Sequence, residues 1–461
     1  MKATVAAALA AAASASAFIA PGFTPCVRST MQNRRADFFM SSAEKPASLS
    51  KKEERRGIIA SPKYNRMGFK QEQEDVSEIM AGEFTSPMVA ELKESGNVIK
   101  RGDVTVKLAQ DFGFCWGVER AIAMSFQARK HFPDQTTHIT NELIHNPGVN
   151  DRLREMDVDF VPAVKDDGNK DLSNIQDGDV VILPAFGATL EEMRYLNEKN
   201  VQVVDTTCPW VSKVWNTVDK HTKADFTSVI HGKYAHEETV ATASFAEKYL
   251  IVKNMDEARY VTDYILNGGD KAEFLEKFKN AISEGFDPDK DLTKVGLANQ
   301  TTMYKRETRA LGQLFEKALM EKFGPAEIGK HWMAFDTICD ATQERQDAML
   351  ELVEDKSIDL MLVVGGWDSS NTHHLAEISV DKGIPTYWVN QADCIKADGS
   401  IDHMDPHTMG VVHTDAFLPA GPVTIGVTSG ASTPDAYMQQ AIENIVMAKK
   451  LTPAAAEPVA A

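Results

Sequence analysis

Residues 104–131, VTVKLAQDFGFCWGVERAIAMSFQARKH, run from a β-rich segment through a Gly-containing turn into an amphipathic helix pattern, with Cys115 at the joint. The same rhythm recurs along the chain. THIT (137–140) leads past His145 to VNDRLREM (149–156), and DVVILPAFGA (179–188) leads to TLEEMRYLNEK (189–199). NVQVVDTTC (200–208) leads to VSKVWNTVDKH (211–221), while FTSVIHGKYAH (226–236), IDLMLVVGGWDSSN (358–371) and VTIGVTSGAS (423–432) each precede a further helix. Strands alternating with helices of this length predict parallel sheets with helices on their faces. Chemistry is then expected in the loops that follow the strands, at the C-terminal edges of the sheets.

The chain has 461 residues, room for about three domains at roughly 150 residues each. Hydrophobic residues make up 43% and charged residues 25%, which rules out a disordered or fibrous protein. The 49 Lys and Arg stand against 67 Asp and Glu, a net charge of -18 that argues against broad nucleic-acid binding, because phosphate tracking needs a basic face. Five cysteines in so long a chain are not a disulfide scaffold. Outside the N-terminal stretch no apolar run reaches the roughly 18 residues of a membrane span, so none is expected in the mature protein.

Residues 1–20, MKATVAAALAAAASASAFIA, have one Lys and a small-residue apolar run, the pattern of a secretory signal with a cleavage zone near Ala15 to Ala17. The stretch from there to about Gly57 carries Arg28, Arg34 and Arg35 with few acids, as transit peptides do. Together they resemble the bipartite presequence of algae with secondary plastids, which implies the plastid stroma. Removing the net charge of +5 in residues 1–60 leaves about -23 on the mature part. The expected organisation is a presequence at 1–60, an N-terminal extension of arm or short surface helices at 61–102, and α/β domains at 103–200, 201–325 and 326–450. An acidic helical insertion is expected at 256–296, and a low-complexity, disordered tail at 451–461.

Cys115, Cys208 and Cys339 share one setting: each follows a β-rich run and precedes a helix, at separations of 93 and 131 residues. The matching contexts predict a threefold internal quasi-repeat with one Cys per domain. A Cys at a helix N-terminus faces the positive end of the helix dipole, which favours the thiolate. Three such thiolates converging make a metal site. Thiolates select zinc or iron–sulfur, and three ligands leave one position open. The competing reading is three packed, unligated cysteines, against which the matching contexts weigh. Cys26 and Cys394 lack the setting and read as bystanders.

The other strand-end loops carry hydroxyls, an amide and imidazoles: His145, His231, His236, Thr301, Ser369, Ser370, Asn371 and Ser432. Beside Gly residues and helix N-termini these types suit an anion held partly by backbone N–H groups. Glu238, two residues after His236, is an acid able to deliver a proton there. Each isolated Ser or Thr also reads as a helix cap. His138, His331 and His373 read as solvated or packed.

Taken together, GFCWGVERAI, IHNPGVNDRL, DTTCPWVSKV, HGKYAHEET, NQTTM, DTICDATQERQDA, VVGGWDSSNT and GVTSGASTPDA resemble the 4-hydroxy-3-methylbut-2-enyl diphosphate reductases, in consistent order over about residues 103–445. The longer form resembles the plant and cyanobacterial branch. The resemblance implies three pseudo-threefold-related α/β domains around a central 4Fe–4S cluster, held by Cys115, Cys208 and Cys339 with one iron open. It implies that His145, His236, Thr301, Ser369, Ser370, Asn371 and Ser432 bind an allylic diphosphate, and that Glu238, with Thr301 and His236, moves protons. A plastid enzyme of this kind would take electrons from ferredoxin, and because a charge near -23 gives that acidic partner no general steering, a local basic patch is expected for docking; a homodimer is among the assemblies allowed. Where many bacterial members carry a His, this chain has Phe186, as the plant-like branch does. Two other readings keep the cysteines: a quinolinate-synthase-like lyase, which would need Arg or Lys in its pocket, and a cluster-bearing redox sensor, which would need no pocket.

Overall fold

The computed structural model describes residues 50–161 and 170–451. The expected signal and transit segment up to residue 49 and the tail from 452 lie outside the described residues. Three sheets organise the described chain.

Each sheet contains the same four-stranded parallel unit. In the first the spatial order is 158–161, 137–140, 180–183, 202–205, and in the second it is 249–252, 227–231, 295–299, 332–334. Numbered along the chain, both units run 2-1-3-4. The third sheet repeats this order with 386–389, 360–364 and 423–429, but its fourth strand is Val104–Leu108, from the start of the body. The threefold repeat is therefore circularly closed, the first strand of the chain completing the last sheet. Antiparallel strands 98–101, 401–404 and 411–414 extend the third sheet at its edges.

The central strands are nearly continuous apolar runs, such as VVIL at 180–183 and LMLVV at 360–364, with every residue buried. Runs of this kind suit parallel strands covered on both faces. On the third sheet one face packs the helices Pro87–Glu94 and Asp435–Leu451, and the other packs Asp340–Leu352 and Ser370–Asp381. Among the described residues no helix is long and apolar enough to cross a membrane.

The domain limits expected at 103, 200 and 326 each fall one strand early. Val104–Leu108, Gln202–Asp205 and Trp332–Ala334 belong to the sheet that precedes their helix, not to the one that follows. A rhythm of strand and helix cannot reveal this, because hydrophobic periodicity marks an element but not its hydrogen-bonded neighbour. The helical segment expected as an insertion is the connection between the second and third strands of the second sheet. Its helices Met255–Asn267, Lys271–Lys277 and Pro288–Asp291 enclose buried Tyr264, Phe274, Phe278 and Phe286.

Residues 61–102 are likewise built into the body: the helices Gln73–Phe84 and Pro87–Glu94 bury Val76, Phe84, Val89 and Leu92. The helix Lys51–Ile59, opened by a capping box between Ser50 and Glu53, also packs inward. Ile58 is buried, the Arg55 guanidinium lies 4.7 Å from the Trp215 ring centroid, and Lys51 Nζ donates to the Ser244 and Ala246 carbonyls. A cut at residue 60 would remove this helix.

A chain starting at Ser50 is therefore expected to melt as the longer protein does, and one starting at Ser61 several degrees lower. Ile58→Ala should cost about 2–4 kcal/mol in a denaturant titration. Equal melting of the two truncated chains would show that the helix contributes nothing to stability.

Candidate active site

In a 2-1-3-4 parallel unit the strand order reverses between strands 1 and 3, and the crevice at their C-terminal ends is the natural place for a ligand. Here the loops after strand 1 carry His145, the segment His231–Glu238, and Ser369–Asn371. The loops after strand 3 carry Phe186, Thr301 and Ser432. The loops after strand 4 carry Cys115, Cys208 and Cys339. Each lobe thus presents one cysteine and two further loops in the same relative places, the Phe186 loop being apolar and the others polar.

Each cysteine is the N-cap residue of its helix, in extended conformation and with no cap bond from its sulfur. Its backbone N–H is tied to the loop after the adjacent strand 3: Cys115 to the Ala431 carbonyl at 3.1 Å, Cys208 to Ala185 at 3.0 Å, and Cys339 to Thr301 at 3.3 Å. The helix that follows then leaves that sheet. Trp116–His131 packs in the core of the first sheet, Pro209–Lys223 against the second, and Asp340–Leu352 against the third. Arg120 on the first of these helices donates to the Thr206 and Thr207 carbonyls just before Cys208, and Arg345 on the last donates to Gly113 just before Cys115. The three crossings meet in one place.

One cavity of ≈ 720 Å³, its open mouth included, is lined by all three cysteines and by His145, His236, Glu238, Thr301, Ser369, Ser370, Asn371 and Ser432. Every candidate residue of the cluster, diphosphate and proton sets is therefore brought to it. His231 is not: it is buried, with Nδ1 2.8 Å from the Thr308 hydroxyl. His138, His331 and His373 engage Asp179, the Thr293 carbonyl and the Pro406 carbonyl. Cys394 is buried beside Asn390, and Cys26 lies outside the described residues.

Burial decides the state of the Cys208 and Cys339 thiols. The helix N-termini do favour the thiolate, through the N–H groups of Trp210 and Val211 for Cys208 and of Thr342 and Ala341 for Cys339, without closing a cap bond to sulfur. Desolvation outweighs them and pushes Cys208 up to about 12 and Cys339 up to about 11, with the neighbouring cysteines adding to the rise. The thiolate expected from the helix dipole alone does not form without a cation to neutralise it, and a coordinated metal supplies one. The backbone allows for bulk at this point: a Cβ on Gly117 would stand 2.7 Å from Cys208 Sγ and 3.9 Å from Cys115 Sγ.

The rest of the lining is polar and undersatisfied. His145 Nε2, Ser370 Oγ and Asn371 Nδ2 are buried with no hydrogen-bond partner. The Asn371 carbonyl oxygen accepts from the Ala431 N–H, so its amide nitrogen stays free. Ser369 does cap its helix, accepting from the Thr372 N–H, and Ser432 donates to the His145 carbonyl at 3.2 Å. His236 Nδ1 accepts from the Glu238 N–H at 3.2 Å, which leaves Nε2 as the protonated nitrogen. Burial lowers its pKa well below the usual value, so the ring is neutral. Glu238 is buried, its Oε1 accepting from the Thr301 N–H at 2.6 Å and its Oε2 from the Thr301 hydroxyl at 2.9 Å. Burial pushes it up to about 7 against those bonds, so it holds a proton near neutrality.

Two acids were missed in the sequence. Glu142 Oε2 lies 3.2 Å from His145 Nδ1, and Glu237 Oε2 lies 3.8 Å from His145 Nε2, with Glu237 itself bound by the Asn141 amide. The Glu-Glu pair at 237–238, beginning a helix right after His236, was the available signal. Phe186 stacks on His145 at 4.2 Å and meets His236 edge-on at 5.7 Å, so it fixes the planes of both imidazoles.

Residues 106–446 match the family described as LytB protein. The chain belongs to the LytB family. Among its relatives, the 4-hydroxy-3-methylbut-2-enyl diphosphate reductase of Picosynechococcus sp. is 56% identical over 401 residues, covering 87% of this chain and 98% of the relative. The reductase of the same name from Nostoc sp. is 55% identical over 395 residues, covering 86% and 97%. The Plasmodium falciparum E-1-hydroxy-2-methyl-but-2-enyl-4-diphosphate reductase superposes with a TM-score of 0.53 at 24% identity, covering 73% of this chain and 86% of that one, a likeness of fold. LytB membership implies an iron–sulfur group. The residues present fit it: three thiols of soft donor type, a glycine where a side chain would intrude, and burial that only a bound cation offsets.

Gly117→Ala is expected to keep the fold but to lower the iron and sulfide retained after reconstitution, because its methyl group would press on Cys208. Full retention would show that the close approach does not matter. Glu238 makes a second expectation. Its folded value lies above its ordinary 4.5, so the native state keeps a proton that the unfolded chain has lost, and stability drains away as pH rises from about 4.5 to about 7. In urea titrations of the metal-free protein at pH 5, 6 and 7, Glu238→Gln should gain on the parent as pH rises.

Proposed function

We propose that this LytB chain is an iron–sulfur-dependent 4-hydroxy-3-methylbut-2-enyl diphosphate reductase. It removes the allylic hydroxyl of (E)-4-hydroxy-3-methylbut-2-enyl diphosphate to give isopentenyl and dimethylallyl diphosphates, the last step of methylerythritol phosphate isoprenoid synthesis. The observation that carries this reading is one cavity lined by three thiols, by buried donors without partners and by a buried carboxyl whose pKa is raised to about 7.

Cys115, Cys208 and Cys339 would hold a 4Fe–4S cluster with one iron free of protein ligand. When bound, such a cluster supplies electrons singly and a Lewis-acidic position for the hydroxyl oxygen. His145 Nε2, Ser370 Oγ and Asn371 Nδ2 offer the diphosphate the partners they lack, with His236, Thr301, Ser369 and Ser432 around it. Fixing that end holds the five-carbon chain with its hydroxyl toward the cysteines. Among the described lining residues there is no Lys or Arg, which suits an anion held by neutral donors and N–H groups and disfavours a dicarboxylate lyase.

The reaction consumes two electrons and two protons: the C–O bond breaks, the oxygen leaves as water, and one carbon of the allyl unit gains hydrogen. Glu238, kept protonated by burial, is the acid for this transfer, and Thr301 is the hydroxyl through which it reaches the substrate. The reading extends to the plastid stroma as the site of action and to ferredoxin as the source of the electrons.

The test is oxidation of a reduced viologen by the anaerobically reconstituted protein on addition of the substrate, with five-carbon diphosphates identified by chromatography. Glu238→Gln should keep the cluster absorption and substrate affinity while turnover falls about 10²–10⁴-fold. Cys208→Ser should lose both cluster and turnover. A Cys208→Ser protein with full iron content and activity would remove that residue from the ligand set.

A further inference from the structure

Two electrons must reach a cavity buried between three lobes, and one wall of that cavity is also an outer surface. Trp116, the residue after Cys115, is 57% exposed. Its ring meets Trp210 edge-on at 6.4 Å, and Trp210 lines the cavity two residues after Cys208. An aromatic pair thus joins solvent to two of the three cysteines. Nothing in the fold explains the exposure of Trp116, since the first turn of its helix would be satisfied by a small polar residue.

The surroundings of this pair are cationic and apolar in a chain of net charge -18. Arg120 stands one turn after Trp116 on the same helix face and donates to the Arg66 carbonyl at 2.7 Å. Arg66 donates to Ser212, next to the exposed Lys213 on the helix of Trp210, and pairs with the buried Asp205. Met67, beside Arg66, is 88% exposed. Glu119, exposed on the same helix, and the buried Asp205 are the acids beside these cations. The result is a small apolar centre with cations around it.

We propose that the face formed by Met67, Trp116 and Trp210, with Arg66, Arg120 and Lys213, is the docking site of an acidic iron–sulfur electron-carrier protein. Charge complementarity argues for this occupant. Against a strongly acidic body a second acidic protein is repelled everywhere except at a local basic patch, so the patch both attracts it and sets its orientation. Each docking oxidises one reduced carrier by one electron, and two dockings supply the pair that the reduction consumes. This rests on the functional reading above.

The test compares the cluster-loaded chain with a Met67→Glu/Lys213→Glu variant, neither residue being part of the catalytic machinery. Calorimetric titration with an acidic plant-type [2Fe–2S] ferredoxin should give a Kd about tenfold or more weaker in the variant, and a flatter dependence on salt. Viologen-supported turnover should match the parent within about twofold, with ferredoxin-supported turnover falling as binding does. Trp116→Ala is the second variant, expected to slow ferredoxin-supported turnover more than it weakens binding. Lys277→Glu, on the segment between the second and third strands of the second sheet, is the control and should bind as the parent does. Unchanged affinity in the double variant, or an equal loss in Lys277→Glu, would overturn the docking face. Absence of viologen-supported turnover in the parent would instead overturn the reductase reading.

Discussion

Everything in this molecule hangs on three chain crossings, each made at a cysteine. A strand ends one sheet, its cysteine N–H bonds to the neighbouring loop of that same sheet, and the helix that follows packs on the next sheet. Because the chain must pass from lobe to lobe at these points, the three sulfur atoms have nowhere to go but the common centre. The lobes cannot separate without pulling the cysteine helices out of foreign cores. The metal site and the interface between lobes are one construction.

That construction sets the electrostatics. Enclosing the centre takes water away from Cys208, Cys339, His236 and Glu238 alike, and in every case burial is the largest influence on proton affinity. The consequence differs by residue type. Thiols stay protonated until a metal displaces the proton, the imidazole stays neutral, and the carboxyl stays acidic enough in form to donate near neutral pH. A single cause, desolvation, prepares metal ligands, hydrogen-bond donor and proton donor together.

The cavity is also a place where folding stability has been given up. Unpartnered buried donors such as His145 Nε2, Ser370 Oγ and Asn371 Nδ2 cost about 1–3 kcal/mol each. Among the described residues, four apolar clusters of close-packed strands and helices carry that load. A diphosphate is the ligand that repays it, since its oxygens accept what these groups offer. Phe186, stacked on His145, keeps the donor aimed without adding another polar atom to satisfy.

The alternation of strands and helices, and hence parallel sheets with helices on both sides, was written in the chain itself, because hydrophobic periodicity depends only on neighbours along the sequence. So was the matched setting of Cys115, Cys208 and Cys339, and the clustering of Ser, Asn, His and Glu in loops after strands. Tertiary structure alone decided which sheet each strand joins: Val104–Leu108 completes the third sheet across more than 300 residues of chain, a pairing no local pattern encodes. It alone brought Glu142 and Glu237 to His145, and separated His231 from the cavity though it lies five residues from His236. It also reversed the proton balance of Cys208 and Cys339, since the helix N-terminus that favours a thiolate is legible in sequence, whereas the desolvation that outweighs it exists only once the lobes have closed around them.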